Sequence, residues 1–374
     1  MTDFPDIPRS SSRLQEEHRY PCEQCGAQLR FAPGSSSVTC AHCGHRQEIH
    51  FDDGDHTDAH TEIDYEAVVR GLTRAVDYEV TRFTNCPGCG AQIEVDEKIQ
   101  ATACPFCDTP LVADTGTHRQ IKPKGLVPFQ LDERQARDAM TNWLGGLWFA
   151  PNKLKDYARK GRAMNGIYVP YWTFDAQTET DYRGQRGTHY YETRTVMRDG
   201  KQVQEQVRRT RWNNVAGRVA RFFDDVVVLA SHSLPKQYTD ALQPWDLKQL
   251  VNYQPQYLSG FQAEAYQVQL EEGLQEAKAV MDRQIMLDIR RDIGGDEQRV
   301  TAKDTRISDV TFKHILLPVW MAAYKYNGKT YRFVVNGQTG KVQGERPYSA
   351  VKIAFAILVA LIIAGIVFYY GESY

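Results

Sequence analysis

The chain has 374 residues, enough for two or three domains, with 42% apolar and 25% charged residues. That composition fits a folded globular protein and excludes a collagen-like or wholly disordered chain. A formal net charge of −2 excludes a global pull toward nucleic acid or anionic lipid, so any such partner must meet a local patch.

The opening stretch, residues 1–19, is polar, rich in Ser and Pro, and lacks the apolar segment of a secretory signal. It reads as a disordered lead.

Eight cysteines follow in four C-x2-C pairs: Cys22/Cys25, Cys40/Cys43, Cys86/Cys89 and Cys104/Cys107. Fourteen residues separate Cys25 from Cys40, and fourteen separate Cys89 from Cys104. The seven-residue pattern CxxCGAQ occurs at Cys22 and again at Cys86, so the two units form an internal repeat. Two thiolates spaced by two residues grip one ion from a tight turn, and two such knuckles close a tetrahedron with Zn–S near about 2.3 Å. Gly26 and Gly90 directly follow the first knuckle of each unit, where the backbone is expected to need positive φ. Gln28 to Phe31 and Ala91 to Val95 read as short strands. The expectation is two tandem zinc ribbons, residues 20–50 and 85–113, each holding one structural Zn2+. Disulfides and a rubredoxin-like iron centre are the rival uses of these cysteines. His42 and His45 lie beside Cys43 as alternative ligands, but four cysteines already fill the site, and the histidines read as surface residues.

Residues 51–84 connect the units. From Asp52 to Glu66 they hold seven carboxylates, interleaved with His56 and His60 and preceded by His50. The reading is a solvated acidic linker, with a metal buffer as its rival. Tyr65 to Phe83 is expected to form a short helix and a strand.

Residues 125–345 read as one α+β domain. LVPFQLDERQARDAM has helical periodicity starting near Asp132. IYVPYWTFDAQTETDYRG alternates as a strand. The pattern then repeats: a long amphipathic stretch from Tyr257 to Asp292 precedes ILLPVWMAAYKYNGKTYRFVVNGQTG. Both strands begin with Pro-x-Trp, at Pro170-Tyr171-Trp172 and Pro318-Val319-Trp320, which suggests a pseudo-repeat. Turns are expected at Asp199-Gly200, at Asn327-Gly328, and from Asn336-Gly337 to Gly340, with a strand over Tyr331–Val335. Arg183 to Arg221 carries ten Lys or Arg against Glu192, Asp199 and Glu205, with Tyr190, Tyr191 and Trp212 among them. This basic stretch is read as a solvated hairpin, with contact to anionic lipid or to nucleic acid as the alternatives.

Ile353 to Tyr370 contains 18 residues without a charge, and the span 350–370 reads as one transmembrane helix. Lys341, Arg346 and Lys352 precede it and Glu372 follows it, so the positive-inside rule places the N-terminal bulk in the cytoplasm of a tail-anchored, single-pass inner-membrane protein. No enzymatic motif is found. Gly328-Lys329-Thr330 lacks the upstream glycine of a phosphate loop because position 323 is Ala323. His232, a lone loop histidine, reads as structural.

Four further stretches carry a family likeness: YVPYWTFDA (168–176), LQPWDL (242–247), YLSGFQAEAY (257–266) and VNGQTGKVQG (335–344). With the cysteine repeat and the apolar helix, the chain resembles bacterial membrane-anchored double zinc-ribbon proteins of the YdjG type, sometimes labelled primosomal-helicase-like. The resemblance implies a non-enzymatic adaptor that recruits a flotillin- or stomatin-like (SPFH-domain) protein to the bilayer. The helicase label has no nucleotide-binding motif behind it. The alternative is a membrane-held nucleic-acid-binding protein. Against it, the second cysteine unit carries Glu94, Asp96 and Glu97 to one Lys98, whereas phosphate neutralisation asks for basic ribbons.

Overall fold

Strand-forming sequence dominates the chain, and the structure gathers it into one large twisted sheet with smaller sheets packed on it. The computed structural model describes residues 20–49, 58–71, 76, 78–94, 101–104, 106, 109–112, 116–149, 151, 164–198, 201–326, 329–345 and 348–371. The lead 1–19 therefore lies outside the described residues.

Strands β1 (Leu29–Phe31), β2 (Ser37–Cys40) and β3 (Arg46–Glu48) form a three-stranded antiparallel sheet. Next come β4 (Ile63–Asp64) and a short helix α1 (Tyr65–Val69), which Asp64 caps by accepting from the Ala67 N–H. Strands β5 (Tyr78–Asn85) and β6 (Gln92–Glu94) follow, then a hairpin of β7 (Ala101–Ala103) and β8 (Pro110–Val112), then β9 (Gly116–Ile121). β5 is the centre of a sheet in the order β6-β5-β9.

The large domain begins with β10 (Gly125–Leu126) and α2 (Glu133–Gly146). Asp132 and Gln135 make a reciprocal capping box, so α2 starts where the sequence places it. Two long strands, β11 (Asn165–Arg198) and β12 (Lys201–Leu229), form a hairpin. Then come α3 (Lys236–Asp240), β13 (Val251–Asn252), β14 (Gln262–Ala263), α4 (Leu270–Ile293), β15 (Glu297–Tyr326), β16 (Lys329–Asn336), β17 (Val342–Gly344) and α5 (Ala350–Gly371). Among the described residues the sheet has nine strands: five in the order β12-β11-β15-β10-β13, with β14 on β11, β4 and β16 on β15, and β17 on β16. The chain is a mixed α+β protein.

Side-chain alternation assigns the faces. Tyr168, Leu316, Trp320, Phe333 and Val335 share a buried cluster with Ala136, Met140 and Leu144 of α2. Trp172, Phe174 and Phe312, of the same parity, pack with Leu274, Ala277, Met281, Ile285 and Ile289 of α4. Both helices thus cover one face. The alternate residues Ile167, Val169, Tyr171, Ile315, Leu317, Val319 and Val334 form a separate cluster on the other face.

A proline in a central strand removes a ladder donor. Pro170 and Pro318 sit where one neighbouring strand hands over to the next. The Ala230 N–H donates to the Pro170 carbonyl at 3.0 Å, and the Gly337 N–H donates to the Pro318 carbonyl at 2.8 Å. In the β11–β15 register Pro170 faces Leu316 and Pro318 faces Tyr168.

Three sequence expectations need revision. The helical pattern drawn from Tyr257 becomes a helix only at Leu270. Before it, Pro255–Leu258 is a 3-10 turn and Gly260 takes φ +87°, which a helix cannot include. Tyr257 and Leu258 are spent on the sheet core instead. The acidic linker is not solvated throughout: Ala59 is buried, its N–H donates to Asn252 Oδ1 at 2.6 Å, and Ile63 pairs with Phe312 on the edge of β15. The basic stretch 183–221 is a hairpin, as expected, but only the outer part of one whose strands begin at Asn165 and end at Leu229. The two-residue links at 199–200 and 327–328 lie outside the described residues, but Arg198 pairs with Lys201 and Tyr326 with Lys329, as two-residue hairpins require.

Along α5, none of the side chains from Ala350 to Phe368 is buried. It is the one helix among the described residues long and apolar enough to cross a membrane.

Candidate metal centres

The first three cysteine pairs sit on turns whose backbone is set by the same two hydrogen bonds. The Cys22 N–H donates to the Ala27 carbonyl at 2.7 Å, and the Gly26 N–H returns to the Cys22 carbonyl at 2.8 Å. The bonds recur as Cys40 to His45 with Gly44 back to Cys40, and as Cys86 to Ala91 with Gly90 back to Cys86. In the fourth turn the Cys104 N–H donates to the Thr109 carbonyl at 2.8 Å. Closing so tight a turn needs positive φ one residue after the second cysteine. Gly26 and Gly90 take φ +71° and +77°, as the sequence implies, and Gly44 takes +75°. The CxxCG of Cys40 to Gly44 carries the same sequence signal for Gly44.

These turns bring one ligand atom from each of Cys22, Cys25, Cys40 and Cys43 within 4.8 Å of one another. Cys22 Sγ lies 3.5 Å from Cys43 Sγ, and Cys25 Sγ lies 3.5 Å from Cys40 Sγ. A tetrahedron with metal–sulfur bonds of about 2.3 Å has sulfur–sulfur edges of about 3.8 Å. The tetrad therefore has the size a tetrathiolate ion needs, and its donor set suits zinc. Cys22 and Cys40 are buried, whereas Cys25 and Cys43 face solvent. Backbone N–H groups of Cys43 and then His42 hold the Cys40 thiol down to about 6, against the upward push of burial. Donors aimed at that sulfur favour the thiolate a metal requires. His42 and His45 stand outside the group.

The second cluster contains Cys86, Cys89 and Cys104, with Cys89 Sγ 3.6 Å from Cys104 Sγ. Cys107 lies outside the described residues. The C-x2-C spacing from Cys104 makes it the expected fourth donor.

Both units are docked. Cys22, Leu29, Phe31, Val38, Cys40 and Ile49 belong to the buried cluster on the α2 face of the large sheet. The Phe31 N–H donates to the Ser259 carbonyl at 2.9 Å, Ser259 Oγ donates to the Leu29 carbonyl, and the Phe31 ring lies 5.1 Å from that of Tyr257. Cys86, Ala91, Ile93, Cys104, Phe106 and Leu111 belong to the cluster on the opposite face. The Ala265 N–H donates to the Gln92 carbonyl at 3.2 Å, and Gln267 Nε2 donates to the Gly90 carbonyl at 3.0 Å.

A third group of charged side chains, with no local sequence signal, joins the connector to the sheet. Lys313, 4% exposed, donates to Glu62 and lies 2.8 Å from Asp225 Oδ1. Asp175 Oδ1 accepts from the Asp225 N–H at 2.6 Å, and Asp225 sits at φ +50° on the bulge of the β11–β12 ladder. Burial drives Glu62 and Asp175 upward, toward the protonated form. Burial alone would push the Lys313 ammonium down, but Asp225 and Glu62 hold it above its usual range. This group clamps the connector between the cysteine units to the sheet.

Much of the basic stretch is already engaged. Arg218 grips Asp181 at 2.7 and 3.0 Å, and Arg221 grips Asp288 at 2.6 and 2.8 Å. Arg209 meets Glu192, Arg186 donates to the Ile293 carbonyl, and Arg211 lies over Tyr190. His232 is exposed, and its backbone N–H donates to Gln267 Oε1.

Residues 22–45 match the LSD1 zinc finger family. Over 337 residues, 90% of this chain and 92% of the relative, the sequence is 26% identical to the uncharacterized protein YdjG of Bacillus subtilis (strain 168). No solved structure matches the chain. The zinc-finger match and the two cysteine clusters together support a zinc-binding protein.

Proposed function

We propose that this chain is a zinc-ribbon adaptor tethered to the cytoplasmic face of the inner membrane. In this reading residues 20–50 and 85–113 are tandem zinc ribbons. Cys22, Cys25, Cys40 and Cys43 hold one Zn2+, and Cys86, Cys89, Cys104 and Cys107 hold the other. Four thiolates leave no open coordination position, so both ions are structural. The adaptor reading assigns the protein no enzymatic role. α5 crosses the bilayer once, and Lys341, Arg346 and Lys352 keep the bulk of the chain on the cytoplasmic side. The partner is a membrane-organising protein of the flotillin or stomatin (SPFH) type, as the YdjG-type resemblance implies.

One observation carries this reading: two small cysteine units are packed on opposite faces of a sheet whose last strand runs into an exposed apolar helix. Docking consumes the inner side of the first ribbon and leaves its knuckle tips, Glu23 to Gly26 and Ala41 to Gly44, facing solvent. A rigid surface held at the membrane recruits by raising local concentration. We also read α2-β11-β12 and α4-β15-β16 as a pseudo-repeat. The matching positions of Pro170 opposite Leu316 and Pro318 opposite Tyr168, and the shared face of the two helices, support it.

The nucleic-acid alternative rests on the far end of the β11–β12 hairpin. Beyond Gly187, where the pairing with β15 stops, it continues as two strands bearing Arg194, Arg208 and the exposed Tyr191. The ion pair of Arg209 with Glu192 and the seat of Arg211 over Tyr190 reduce its free charge. The test is crosslinked purification of full-length protein from its native membrane. A stoichiometric membrane-organising protein, lost in a Cys22→Ser/Cys86→Ser variant that stays in the membrane, supports the adaptor. Nuclease-sensitive nucleic acid released by salt overturns it.

A further inference from the structure

At the foot of α5 the fold brings aromatic side chains to the surface from two distant stretches. Trp148 is 57% exposed, Phe149 40% and Tyr348 58%. The Trp148 and Phe149 rings meet edge to face at 5.0 Å. The contrast with Trp143, five residues earlier, is instructive. Trp143 turns inward and packs on Phe333 at 5.6 Å, whereas Trp148 turns outward beyond the end of α2.

The exposed rings are fastened to the apolar helix. The Ser349 N–H donates to the Phe149 carbonyl at 2.8 Å. Ser349 also starts α5: its carbonyl accepts from the Ile353 N–H at 3.0 Å, and its hydroxyl accepts from the Lys352 N–H at 3.4 Å. The aromatic pad is therefore one residue from the first turn of the helix. An indole and a phenyl ring held at the mouth of a membrane-long helix stand where head groups meet acyl chains, the zone these rings prefer. Lys352, in the same turn, supplies a cation for the head groups.

We propose that Trp148 and Phe149 insert into the interfacial layer of the bilayer that α5 crosses, giving the sheet a second membrane contact. The inference rests on α5 being a membrane span. Its consequence is orientation. With the end of α2 held at the lipid surface, the sheet does not swing freely on its tether, and the zinc-binding units are presented at a fixed attitude to a partner at the membrane.

The test uses full-length protein reconstituted in vesicles of phosphatidylcholine and phosphatidylglycerol, with or without lipids brominated near the head-group end of the acyl chain. Tryptophan emission reports proximity to bromine. The chain has six tryptophans, so Trp148→Phe, a mild change at an exposed site, identifies the reporter. The expected result is clear quenching of the wild type and loss of more than half of it in W148F. Equal quenching in both, or none in wild type that floats with vesicles after carbonate washing, overturns the proposal and leaves the anchor intact. A pad covered by a second copy or by a protein partner would give that unquenched result. Release by carbonate would mean that α5 is not inserted, and would overturn the anchor and the proposal together.

Discussion

The Phe31 N–H donates to the Ser259 carbonyl at 2.9 Å, joining the strand behind the first cysteine knuckle to a loop of the large domain. Through this contact the first metal centre and the sheet core form one folded unit. Ser259 is buried and its hydroxyl donates to the Leu29 carbonyl. Ser259→Ala leaves that carbonyl unmatched and is expected to cost about 1 kcal/mol. Thermal melts of the wild type and the variant check this, and an unchanged Tm would mean that the first unit is only loosely attached.

Gly26 and Gly90 have open space where a Cβ would stand, so any penalty there comes from the backbone alone. Gly26→Val is expected to cost on the order of 1–2 kcal/mol and to weaken metal retention against a chelator, while Gly26→Asn keeps most of it. Equal behaviour of Val and Asn would show that the knuckle does not hold its positive φ.

Lys313 neutralises Glu62 and Asp225 in a nearly closed site. Lys313→Met strands the carboxylates and should cost about 3–5 kcal/mol. Adding Glu62→Gln and Asp225→Asn should recover a large part of the loss. Urea unfolding of the single and triple variants measures both, and a single variant as stable as wild type would contradict the clamp.

His314 lies between Trp172 and Tyr266, its Nδ1–H donating to the Ile121 carbonyl at 2.8 Å. Burial lowers it from its usual 6.5 to about 4, so the folded protein keeps it neutral. Between those values the unfolded chain binds a proton that the folded chain does not, so stability falls as pH drops from about 6.5 toward 4. The loss attached to this group is on the order of 3 kcal/mol. His314→Asn retains a donor and removes the titration. Its stability should fall less steeply with acid than that of wild type, while the loss from thiolate protonation stays common to both. Parallel pH profiles would assign the acid loss to the cysteines.

Features set by near neighbours were legible in the sequence. The cysteine spacing, Gly26 and Gly90, the cap at Asp132 and the paired residues flanking the hairpin links all depend on a few adjacent residues. Contacts across the chain were not. Glu62 reads as one of seven acids in a polar connector, and only Lys313, 251 residues later, explains its burial. Docking of the first unit depends on Ser259, 230 residues from Leu29. The strands of 34, 29 and 30 residues exceed the usual strand length of about three to ten residues. The sequence therefore breaks them into a strand and a basic stretch, because hydrophobic alternation fades where β11 leaves the core and only backbone pairing continues.

The central claim is that the eight cysteines hold two structural zinc ions, and counting metal tests it most directly. Full-length protein extracted from membranes would be analysed by elemental mass spectrometry beside Cys22→Ser/Cys25→Ser and Cys86→Ser/Cys89→Ser variants. The account expects two zinc ions per chain in the wild type and one in each variant, with the remaining ion resisting mild chelation. Iron in place of zinc, a metal-free folded wild type, or a zinc count unmoved by either pair of substitutions would contradict it.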